Sequence, residues 1–343
     1  MNPQTPKKML PKDYATDQDV RWCPGCGDYA ILRGVQKALA DMGADPANTV
    51  FVSGIGCAAR FPYYVATYGF HTIHGRAPAI ATGVKLANPR LSVWVVGGDG
   101  DGLSIGGNHT MHAIRRNVDI NYLLFNNEIY GLTKGQYSPT SRLGTRSPST
   151  PTGSIDPPVS ALQFAMGANA RFIARTIDRR LDHMPTVLGR AAVHKGCSFV
   201  EIIQNCIVYN DGIFDSFTEK EVKDEQQLEL QHGKPMLFGK GKTKGIRFNP
   251  KSMSLEGVTI GENGISADDI IVHDETNRML AVMLCQLEPP SFPVPIGVLY
   301  CNPAKPYEDA VWAQVAAAKE RLKGDAPDLN AMLRKGATWT VAG

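Results

Sequence analysis

Two aspartates and an asparagine mark the stretch of this chain that is best suited to chemistry. Asp99 and Asp101 follow the aliphatic run 91–96 within the sequence GGDGDG. Glycines let backbone N–H groups approach a phosphate closely, and a helix that begins soon afterwards adds a favourable dipole. Two carboxylates would repel a phosphate unless Mg²⁺ arrives with it, because the ion takes one carboxylate together with phosphate oxygens. Asn127, after the apolar run 120–125, offers a further oxygen ligand.

The cysteines form the second group of reactive side chains. Cys23 and Cys26 lie in the sequence WCPGC, which resembles a thioredoxin active site, but residues 13–21 are too polar for the buried strand that precedes such a site. A structural zinc site favours two local cysteine pairs, and the sequence has a single CxxC. An iron–sulfur cluster accepts one CxxC pair together with cysteines from distant loops.

Two further cysteines fit that last alternative. Cys57 and Cys206 each follow a predicted strand. We therefore predict one [4Fe–4S] cluster on Cys23, Cys26, Cys57 and Cys206, with Cys197 as the alternative to Cys206. The cysteines at 197, 285 and 301 lie inside apolar segments, which is typical of small buried residues.

The elements that must position these groups alternate along the chain. Apolar runs predict strands at 49–53, 91–96, 120–125, 171–177 and 197–203, and helices are predicted at 28–42, before Asn88, and at 104–117, 159–167 and 182–195. This order predicts an α/β fold, a mainly parallel sheet with helices on both faces. Ligands of such folds bind at the carboxyl edge of the strands, where Cys57, Asp99, Asn127 and Cys206 all fall.

Three regions are predicted from these patterns. Residues 1–20 form an N-terminal arm, 21–212 a binding domain, and 213–343 an irregular C-terminal extension that wraps the core or a partner. Within the binding domain, 60–70 and 130–158 are expected to be loops. Within the extension we expect a helix at 266–285, an apolar segment at 296–300 and a helix at 307–322, whereas 233–264 is Lys- and Gly-rich with little apolar periodicity.

The glycine-rich stretch and the asparagine pair together resemble a known motif. Gly98-Asp99-Gly100 followed by Asn126-Asn127 is similar to the thiamine-diphosphate motif. The resemblance implies that Asp99, Asn127 and the backbone carbonyl of Ile129 hold the Mg²⁺ of the diphosphate. Thiamine diphosphate beside a four-cysteine cluster resembles one enzyme family, the 2-oxoacid:ferredoxin oxidoreductases, and most closely their β subunit of the 2-oxoglutarate type.

The resemblance covers residues 14–212. Its motifs are WCPGCG (22–27), GIGC (54–57), HTIHGR (71–76), YGLTKGQ (130–136) and NC (205–206). The residues that this matching implies around the thiamine diphosphate are Ile55, Gly56, Cys57, Ala58, His74, Gly98, Asp99, Gly100, Asp101, Asn127, Gly131 and Leu132.

The family's chemistry follows from the resemblance as an expectation. Loss of CO₂ from a 2-oxoacid leaves a carbanion that side chains alone cannot stabilise, and thiamine supplies the electron sink. The implied reaction is reversible and coenzyme A-dependent, with 2-oxoglutarate giving succinyl-CoA and CO₂, pyruvate as the alternative substrate, and electrons passing singly through the cluster to ferredoxin. The implied partner is an α or fused γα subunit, in a dimer of αβ heterodimers. It would supply the glutamate that activates thiamine, because no glutamate of this chain matches that role, so the chain should be inactive alone.

Several cationic side chains are candidates for binding the substrate carboxylate. Arg60 lies beside the Cys57 loop, and Lys134, Arg142 and Arg146 lie in the long loop. Guanidinium groups bind carboxylates in a bidentate manner, although ordinary loop solubility explains such residues equally well. Two histidines, at 71 and 74, are candidates for orienting cofactor groups.

Composition excludes several other classes of function. A net charge of +3 over 343 residues gives no indication of nucleic-acid or membrane binding. The polar N-terminus does not resemble a signal peptide, and an odd number of cysteines without export features indicates a cytoplasmic protein.

Three rival functions fit these residues less well. Gly54-x-Gly56-x-x-Ala59 fits a nicotinamide-binding fingerprint, but no acidic residue follows before Asp99 to bind the ribose. A non-catalytic iron–sulfur electron-transfer module would leave Asp99 and Asn127 without a role. A non-oxidative thiamine decarboxylase would need no cluster.

Overall fold

A computed structural model of the chain describes residues 9–322 and 328–341. Apolar, β-branched runs form several of its strands, such as β1 and β3. The strands are β1 (Thr49–Ser53), β2 (Tyr68–His71), β3 (Ser92–Gly98), β4 (Asn121–Asn126), β5 (Phe172–Ile177), β6 (Ser198–Ile203), β7 (Gln227–Leu230), β8 (Leu237–Phe238), β9 (Lys244–Asn249), β10 (Ser254–Thr259) and β11 (Val294–Cys301). The helices are α1 (Asp28–Met42), α2 (Ala77–Ala87), α3 (Gly107–Arg116), α4 (Ala161–Gly167), α5 (Met184–Val193), α6 (Asp215–Thr218), α7 (Lys223–Gln226), α8 (Arg278–Leu284), α9 (Tyr307–Arg321) and α10 (Leu329–Leu333).

One eight-stranded sheet organises the fold. Its strand order is β2-β1-β3-β4-β6-β5-β11-β7. Neighbouring strands run parallel, except that β11 is antiparallel to β5. Strands β8, β9 and β10 form a separate antiparallel sheet.

The core lies on both faces of the large sheet, because alternate residues of each strand point to opposite sides. On one face, Val95 and Leu124 belong to an apolar cluster with residues of α2, α3, α4 and α8. On the other face, Trp94 and Leu123 belong to a cluster with residues of α1 and α5. The predicted α/β fold with helices on both faces is confirmed.

The long loop 130–158 carries no helix or strand, as predicted, but the predicted loop at 60–70 is wrong in part. Residues Ala58–Tyr63 form a 3₁₀-helix and β2 begins at Tyr68. All four residues of β2 are exposed, and β2 is an edge strand with one neighbour. It therefore lacks the buried apolar alternation by which a strand is recognised in a sequence.

The segment after residue 212 is more regular than expected. Strands β7 and β11 complete the large sheet, and the Lys- and Gly-rich segment forms β8, β9 and β10. These last strands present few buried residues, so their apolar pattern is weak. The helix expected at 266–285 is confined to α8, because Asn277 caps it by accepting hydrogen bonds from the backbone N–H groups of Met279 and Leu280. Helix α9 is confirmed at Tyr307–Arg321.

The predicted N-terminal arm is described from residue 9 onward, so residues 1–8 lie outside the described part. Its anchor is Tyr14, which is fully buried and donates to the carbonyl oxygen of Ala44 at 2.5 Å. Within residues 9–322 and 328–341, no helix is both long and apolar enough to cross a membrane.

Candidate functional site

The carboxyl ends of β1, β3, β4 and β6 meet at one edge of the sheet, since these neighbouring strands are parallel. A cavity of about 460 Å³ opens there. Every residue that the resemblance implied around thiamine diphosphate lines it: Ile55, Gly56, Cys57, Ala58, His74, Gly98, Asp99, Gly100, Asp101, Asn127, Gly131 and Leu132. The cavity is also lined by Phe125, Ile129, Tyr130, Thr133 and Gln136, which sequence reasoning did not assign to the thiamine itself.

Asp99 begins a π-helical turn (Gly100–Ile105) directly after β3 and is only 2% exposed. Its Oδ2 accepts hydrogen bonds from the hydroxyl groups of Ser138 at 2.5 Å and Thr140 at 2.6 Å. Burial raises the pKa of Asp99 to about 6, and the two hydroxyl donors oppose that rise. A carboxylate this buried is costly unless a cation neutralises it, so the position suits a metal ligand.

Asn127 and Ile129 complete an oxygen donor set after β4. The Nδ2 of Asn127 donates to Oε1 of Gln204 at 2.7 Å, and its Oδ1 accepts from the backbone N–H of Ile129 at 3.2 Å. Glu128 between them has φ of 54°, a left-handed conformation that non-glycine residues seldom adopt and that functional sites often retain. Carboxylate, amide and carbonyl oxygens are the hard donors that Mg²⁺ prefers, so Asp99, Asn127 and Ile129 fit a magnesium diphosphate.

Asp101 ties two loops of the cavity wall together. Its Oδ1 accepts hydrogen bonds from the backbone N–H groups of Ile55 at 3.0 Å and Gly75 at 2.7 Å. Nδ1 of His74 lies 2.8 Å from the same oxygen. Burial raises the pKa of Asp101, and these three neighbours oppose the rise. Asp101 therefore holds the loops after β1 and β2 in place, and His74 is oriented by it.

Gly100 is required by the close approach of Tyr130. A Cβ atom at position 100 would lie 2.1 Å from Cε1 of Tyr130. The Tyr130 hydroxyl donates to the carbonyl oxygen of Gly100 at 3.1 Å. The glycine-rich turn is thus packed directly against the start of the long loop.

The cysteines predicted to bind a cluster lie beside this cavity. A Cβ atom at Gly131 would lie 3.5 Å from Sγ of Cys206 and 3.6 Å from Sγ of Cys57. Cys26 is close enough to both that their charges raise its pKa, although burial is the larger cause. Burial likewise raises the pKa of Cys57 to about 12, with smaller contributions from Cys206 and Cys23.

Hydrogen bonds hold the cysteine-bearing loops together. Nε1 of the buried Trp22 donates to the carbonyl oxygen of Cys57 at 2.8 Å. The backbone N–H of Gly27 donates to the carbonyl oxygen of Asn205 at 3.1 Å. The structure therefore brings Cys23, Cys26, Cys57 and Cys206 into one region, whereas Cys197 precedes β6 and lies at the opposite edge of the sheet.

These thiols fit a cluster better than a single ion. Within residues 9–322 and 328–341, no three His, Cys, Asp or Glu side chains converge closely enough to hold one metal ion. An iron–sulfur cluster places its own iron and sulfide atoms between its ligands, so its cysteines need not converge on a point. Gly131 leaves the space between two of the thiols free of a side chain, which suits a bulky inorganic group.

The four cationic residues that are candidates for binding the substrate carboxylate do not all lie near the cavity. Arg60 lines an adjoining cavity of about 330 Å³ that shares Ile55, Gly56 and Leu132 with the first, and His71 lines it too. Arg142 instead pairs with Glu128 at 3.0 Å and lines a separate cavity. Neither Lys134 nor Arg146 lines any of these three cavities, so their assignment to substrate stays a prediction from the sequence.

Sequence reasoning missed the residues that hydrogen-bond to the predicted ligands. Ser138, Thr140 and Gln204 contact the predicted ligands but carry no motif of their own, and Trp22, although part of WCPGCG, was given no role. Ser138 and Thr140 were visible as polar residues of a long loop, and the burial that makes them informative appears only in three dimensions.

Comparison with known proteins places this geometry in a family. Residues 54–202 match the family model of the thiamine pyrophosphate enzyme C-terminal, TPP-binding domain. The chain is 46% identical to 2-oxoglutarate oxidoreductase subunit KorB of Mycobacterium tuberculosis, over 99% of this chain and 90% of that protein. The chain belongs to the 2-oxoacid:ferredoxin oxidoreductase β-subunit family.

Other members of the family are similar over different lengths. The β subunit of 2-oxoacid:ferredoxin oxidoreductase 1 from Aeropyrum pernix is 47% identical over 58% of this chain and 62% of its own length. A solved structure of 2-oxoglutarate:ferredoxin oxidoreductase from Magnetococcus marinus, with 2-oxoglutarate, coenzyme A and succinyl-CoA bound, is 33% identical. That match covers 97% of both chains with a TM-score of 0.74. As a member of this family, the chain is a thiamine-dependent oxidoreductase subunit, and the family predicted from the sequence motifs is confirmed.

Proposed function

We propose that this β subunit binds thiamine diphosphate with Mg²⁺ and one [4Fe–4S] cluster, and oxidatively decarboxylates 2-oxoglutarate to succinyl-CoA and CO₂, reversibly, with ferredoxin as electron acceptor. The observation that carries the proposal is the position of Cys57 and Gly131. Both line the cavity proposed for thiamine, and Gly131 also adjoins the thiols of Cys57 and Cys206. Two redox partners would thus share one wall, which favours electron transfer between them.

The chain's own residues have distinct tasks in this proposal. Bound thiamine supplies the electron sink for the carbanion that forms when CO₂ leaves. Asp99, Asn127 and the carbonyl of Ile129 would hold the magnesium diphosphate, with Ser138 and Thr140 fixing the Asp99 carboxylate. Cys23, Cys26, Cys57 and Cys206 would ligate the cluster. The apolar side chains of Ile55, Ala58 and Leu132 would exclude water from the reacting end of the cavity.

The adjoining cavity supports a dicarboxylic substrate. Arg60 and Arg21 both line it and outnumber the one carboxylate there, Asp19, and a guanidinium group is well suited to a carboxylate. 2-Oxoglutarate carries a second carboxylate that pyruvate lacks, so a cationic pocket next to the thiamine cavity favours the longer acid. Similarity to proteins named for 2-oxoglutarate supports the same choice. Pyruvate remains the alternative substrate.

The residues that line the cavity also favour a requirement for a partner subunit. Among the described residues, the carboxylates that line the thiamine cavity are Asp99 and Asp101, and no glutamate does. The glutamate that activates thiamine would therefore come from an α or fused γα subunit, in a dimer of αβ heterodimers. A cytoplasmic location follows from dependence on ferredoxin and coenzyme A and is part of the proposal.

The test is co-expression with the neighbouring α subunit under anaerobic conditions, followed by an assay of ferredoxin reduction. We expect reduction with 2-oxoglutarate that depends on coenzyme A and is at least 10-fold slower with pyruvate, because an unmatched polar pocket discriminates strongly. Faster reduction with pyruvate would reassign the substrate. No reduction with any 2-oxoacid by a complex that holds iron but no thiamine would favour the non-catalytic electron-transfer module.

Two substitutions separate the two cofactors in the same assay. Cys57→Ser should prevent ferredoxin reduction by removing a cluster ligand, and Asp99→Ala should release thiamine while leaving the iron content unchanged. Full retention of cluster and thiamine in both variants would show that the site is wrongly assigned.

A further inference from the structure

Gln204 follows directly after β6, between the two groups of residues assigned above to metal centres. Its side chain is only 1% exposed. Its backbone N–H donates to the carbonyl oxygen of Asn126 at 2.9 Å, which continues the pairing of β4 with β6 beyond the strands. The residue is thereby fixed at the carboxyl edge of the sheet.

The orientation of the Gln204 amide is determined by its neighbours. Nε2 lies 2.6 Å from the carbonyl oxygen of Asn205, which can only accept, so the nitrogen of the amide must face it. The same nitrogen donates to Sγ of Cys26 at 3.4 Å. Oε1 therefore faces the other way and accepts from Nδ2 of Asn127 at 2.7 Å.

One consequence concerns Asn127. Because Nδ2 of Asn127 is engaged by Gln204, its Oδ1 is turned toward the loop of Ile129. That oxygen is the atom able to ligate Mg²⁺, since an amide nitrogen cannot. Gln204 thus fixes the orientation of the Asn127 amide that presents the ligating oxygen. Residues that hydrogen-bond to metal ligands commonly have this effect.

The other consequence concerns Cys26. An N–H donor stabilises negative charge on a cysteine sulfur, and hydrogen bonds to the sulfurs are one of the factors that set the reduction potential of an iron–sulfur cluster. A reduced cluster carries one more negative charge than an oxidised one. The Gln204 donor therefore favours the reduced state and raises the potential.

We propose that Gln204 is a positioning residue shared by both centres: its oxygen orients the magnesium ligand Asn127, and its nitrogen raises the potential of the cluster bound by Cys26. This inference rests on the proposed function. Gly27 makes room for the link, because a Cβ atom there would lie 3.0 Å from Cγ of Gln204 and 2.0 Å from Oδ2 of Asp178.

The test uses the anaerobic αβ complex with the variants Gln204→Leu and Gln204→Glu. Leucine removes both hydrogen bonds, whereas glutamate keeps an acceptor for Asn127 but has no N–H for Cys26. Gln227→Leu is the matched control. Gln227 is also a buried glutamine with both amide atoms hydrogen-bonded, to Phe217 and Arg180, but it contacts no proposed cofactor ligand.

Two readouts independent of turnover are needed. The cluster's midpoint potential, from a redox titration followed by electron paramagnetic resonance, should become more negative in Gln204→Leu and in Gln204→Glu. The Mg²⁺ concentration that half-saturates thiamine diphosphate binding should rise about 10-fold in Gln204→Leu and less in Gln204→Glu. Gln227→Leu should match the wild type in both measurements.

The outcomes separate this inference from the proposed function. A wild-type complex that binds neither cluster nor thiamine contradicts the proposed function. A fully loaded wild type whose Gln204 variants keep either the wild-type potential or the wild-type Mg²⁺ dependence overturns the shared role of Gln204 alone.

Discussion

At the scale of single residues, the site depends on carboxylates buried at the ends of strands. Asp101 shows why such a residue is more than a polar lining group. Three donors from two loops converge on its Oδ1, and Gly54 leaves room for the carboxylate because a Cβ there would lie 2.1 Å from Oδ2. The carboxylate therefore links the two loops that form this part of the cavity wall.

Replacing Asp101 should weaken the fold and the cofactor site together. Asp101→Ala leaves the N–H groups of Ile55 and Gly75 without their acceptor, which should cost about 2–4 kcal/mol of unfolding free energy in urea titrations. Asp101→Asn keeps one acceptor oxygen without the charge and should cost less. The same order should hold for thiamine diphosphate affinity in the complex. Equal stability of the alanine variant and the wild type would contradict this role.

A second prediction concerns the contact between Gly100 and Tyr130. Gly100→Ala introduces a methyl group 2.1 Å from the Tyr130 ring, so we expect a lower melting temperature and weaker thiamine binding, with a cost of about 1–3 kcal/mol. Adding Tyr130→Ala should restore part of the binding lost, because it removes the clash. A double variant that is as impaired as the sum of the two single variants would argue against this contact.

The candidate ligands could be named from local sequence, whereas the residues that hydrogen-bond to them could not. Asp99, Asn127, Cys57 and Cys206 were recognisable as candidates because each follows an apolar run that forms a buried strand, and Cys23 and Cys26 because they form a CxxC pair. Ser138, Thr140 and Gln204 were not, since their partners come from distant parts of the chain, such as Asp99 for Thr140. Hydroxyl and amide side chains acquire a specific role only through such partners, which a single sequence does not specify.

At the scale of elements, burial decided which strands could be predicted. β1, β3, β4 and β6 are buried along nearly their whole length, and their apolar runs identified them. β2 is exposed and the strands of the small sheet β8–β10 have few buried residues, so their sequences resemble loops. The carboxyl edge that carries the site was predictable because the buried strands alone define it.

Helix α5 illustrates how an element can be sensitive to pH. His183 and His194 flank it, and both are buried. Burial lowers the pKa of each to about 4, so the folded state holds both imidazoles neutral. In the unfolded chain the pKa of a histidine is about 6.5, so the unfolded chain binds these protons more readily. The unfolding free energy is therefore undiminished by the two histidines above about pH 6.5 and decreases as the pH falls toward 4.

We therefore expect the unfolding free energy of the chain to fall between pH 7 and pH 5, by roughly 2 kcal/mol for His194. Urea titrations at the two pH values measure this change. His194→Gln should make the dependence on pH shallower, whereas His232→Gln, at an exposed side chain, should not. An identical pH dependence in the His194 variant and the wild type would refute the assignment.

At the scale of the whole molecule, the proposed function requires a partner subunit, as the naming of its relatives as β subunits indicates. The described residues lining the cavity proposed for thiamine include no glutamate. Helix α9 has 15 residues, of which Glu308 is the one buried residue. A helix of this length gains little stability from propensity alone, which suggests that a further surface packs against it. Both features are expected of a subunit that functions in an assembly.

The purified chain alone should therefore bind iron but not reduce ferredoxin with any 2-oxoacid. Adding the α subunit should restore the activity at once if it supplies the missing glutamate. An α subunit with that glutamate replaced by glutamine should form the complex without restoring turnover. Ferredoxin reduction by the isolated chain would show that the missing group lies on this chain after all.

The most direct measurement of the central claim is electron paramagnetic resonance on the anaerobic αβ complex, frozen at short times after mixing with 2-oxoglutarate. If thiamine and a four-cysteine cluster share the edge formed by β1, β4 and β6, the signal of a reduced cluster should appear within the time of one turnover and be absent in Cys206→Ser. A complex that carries both groups but whose cluster stays oxidised after 2-oxoglutarate is added, with or without coenzyme A, would contradict the account.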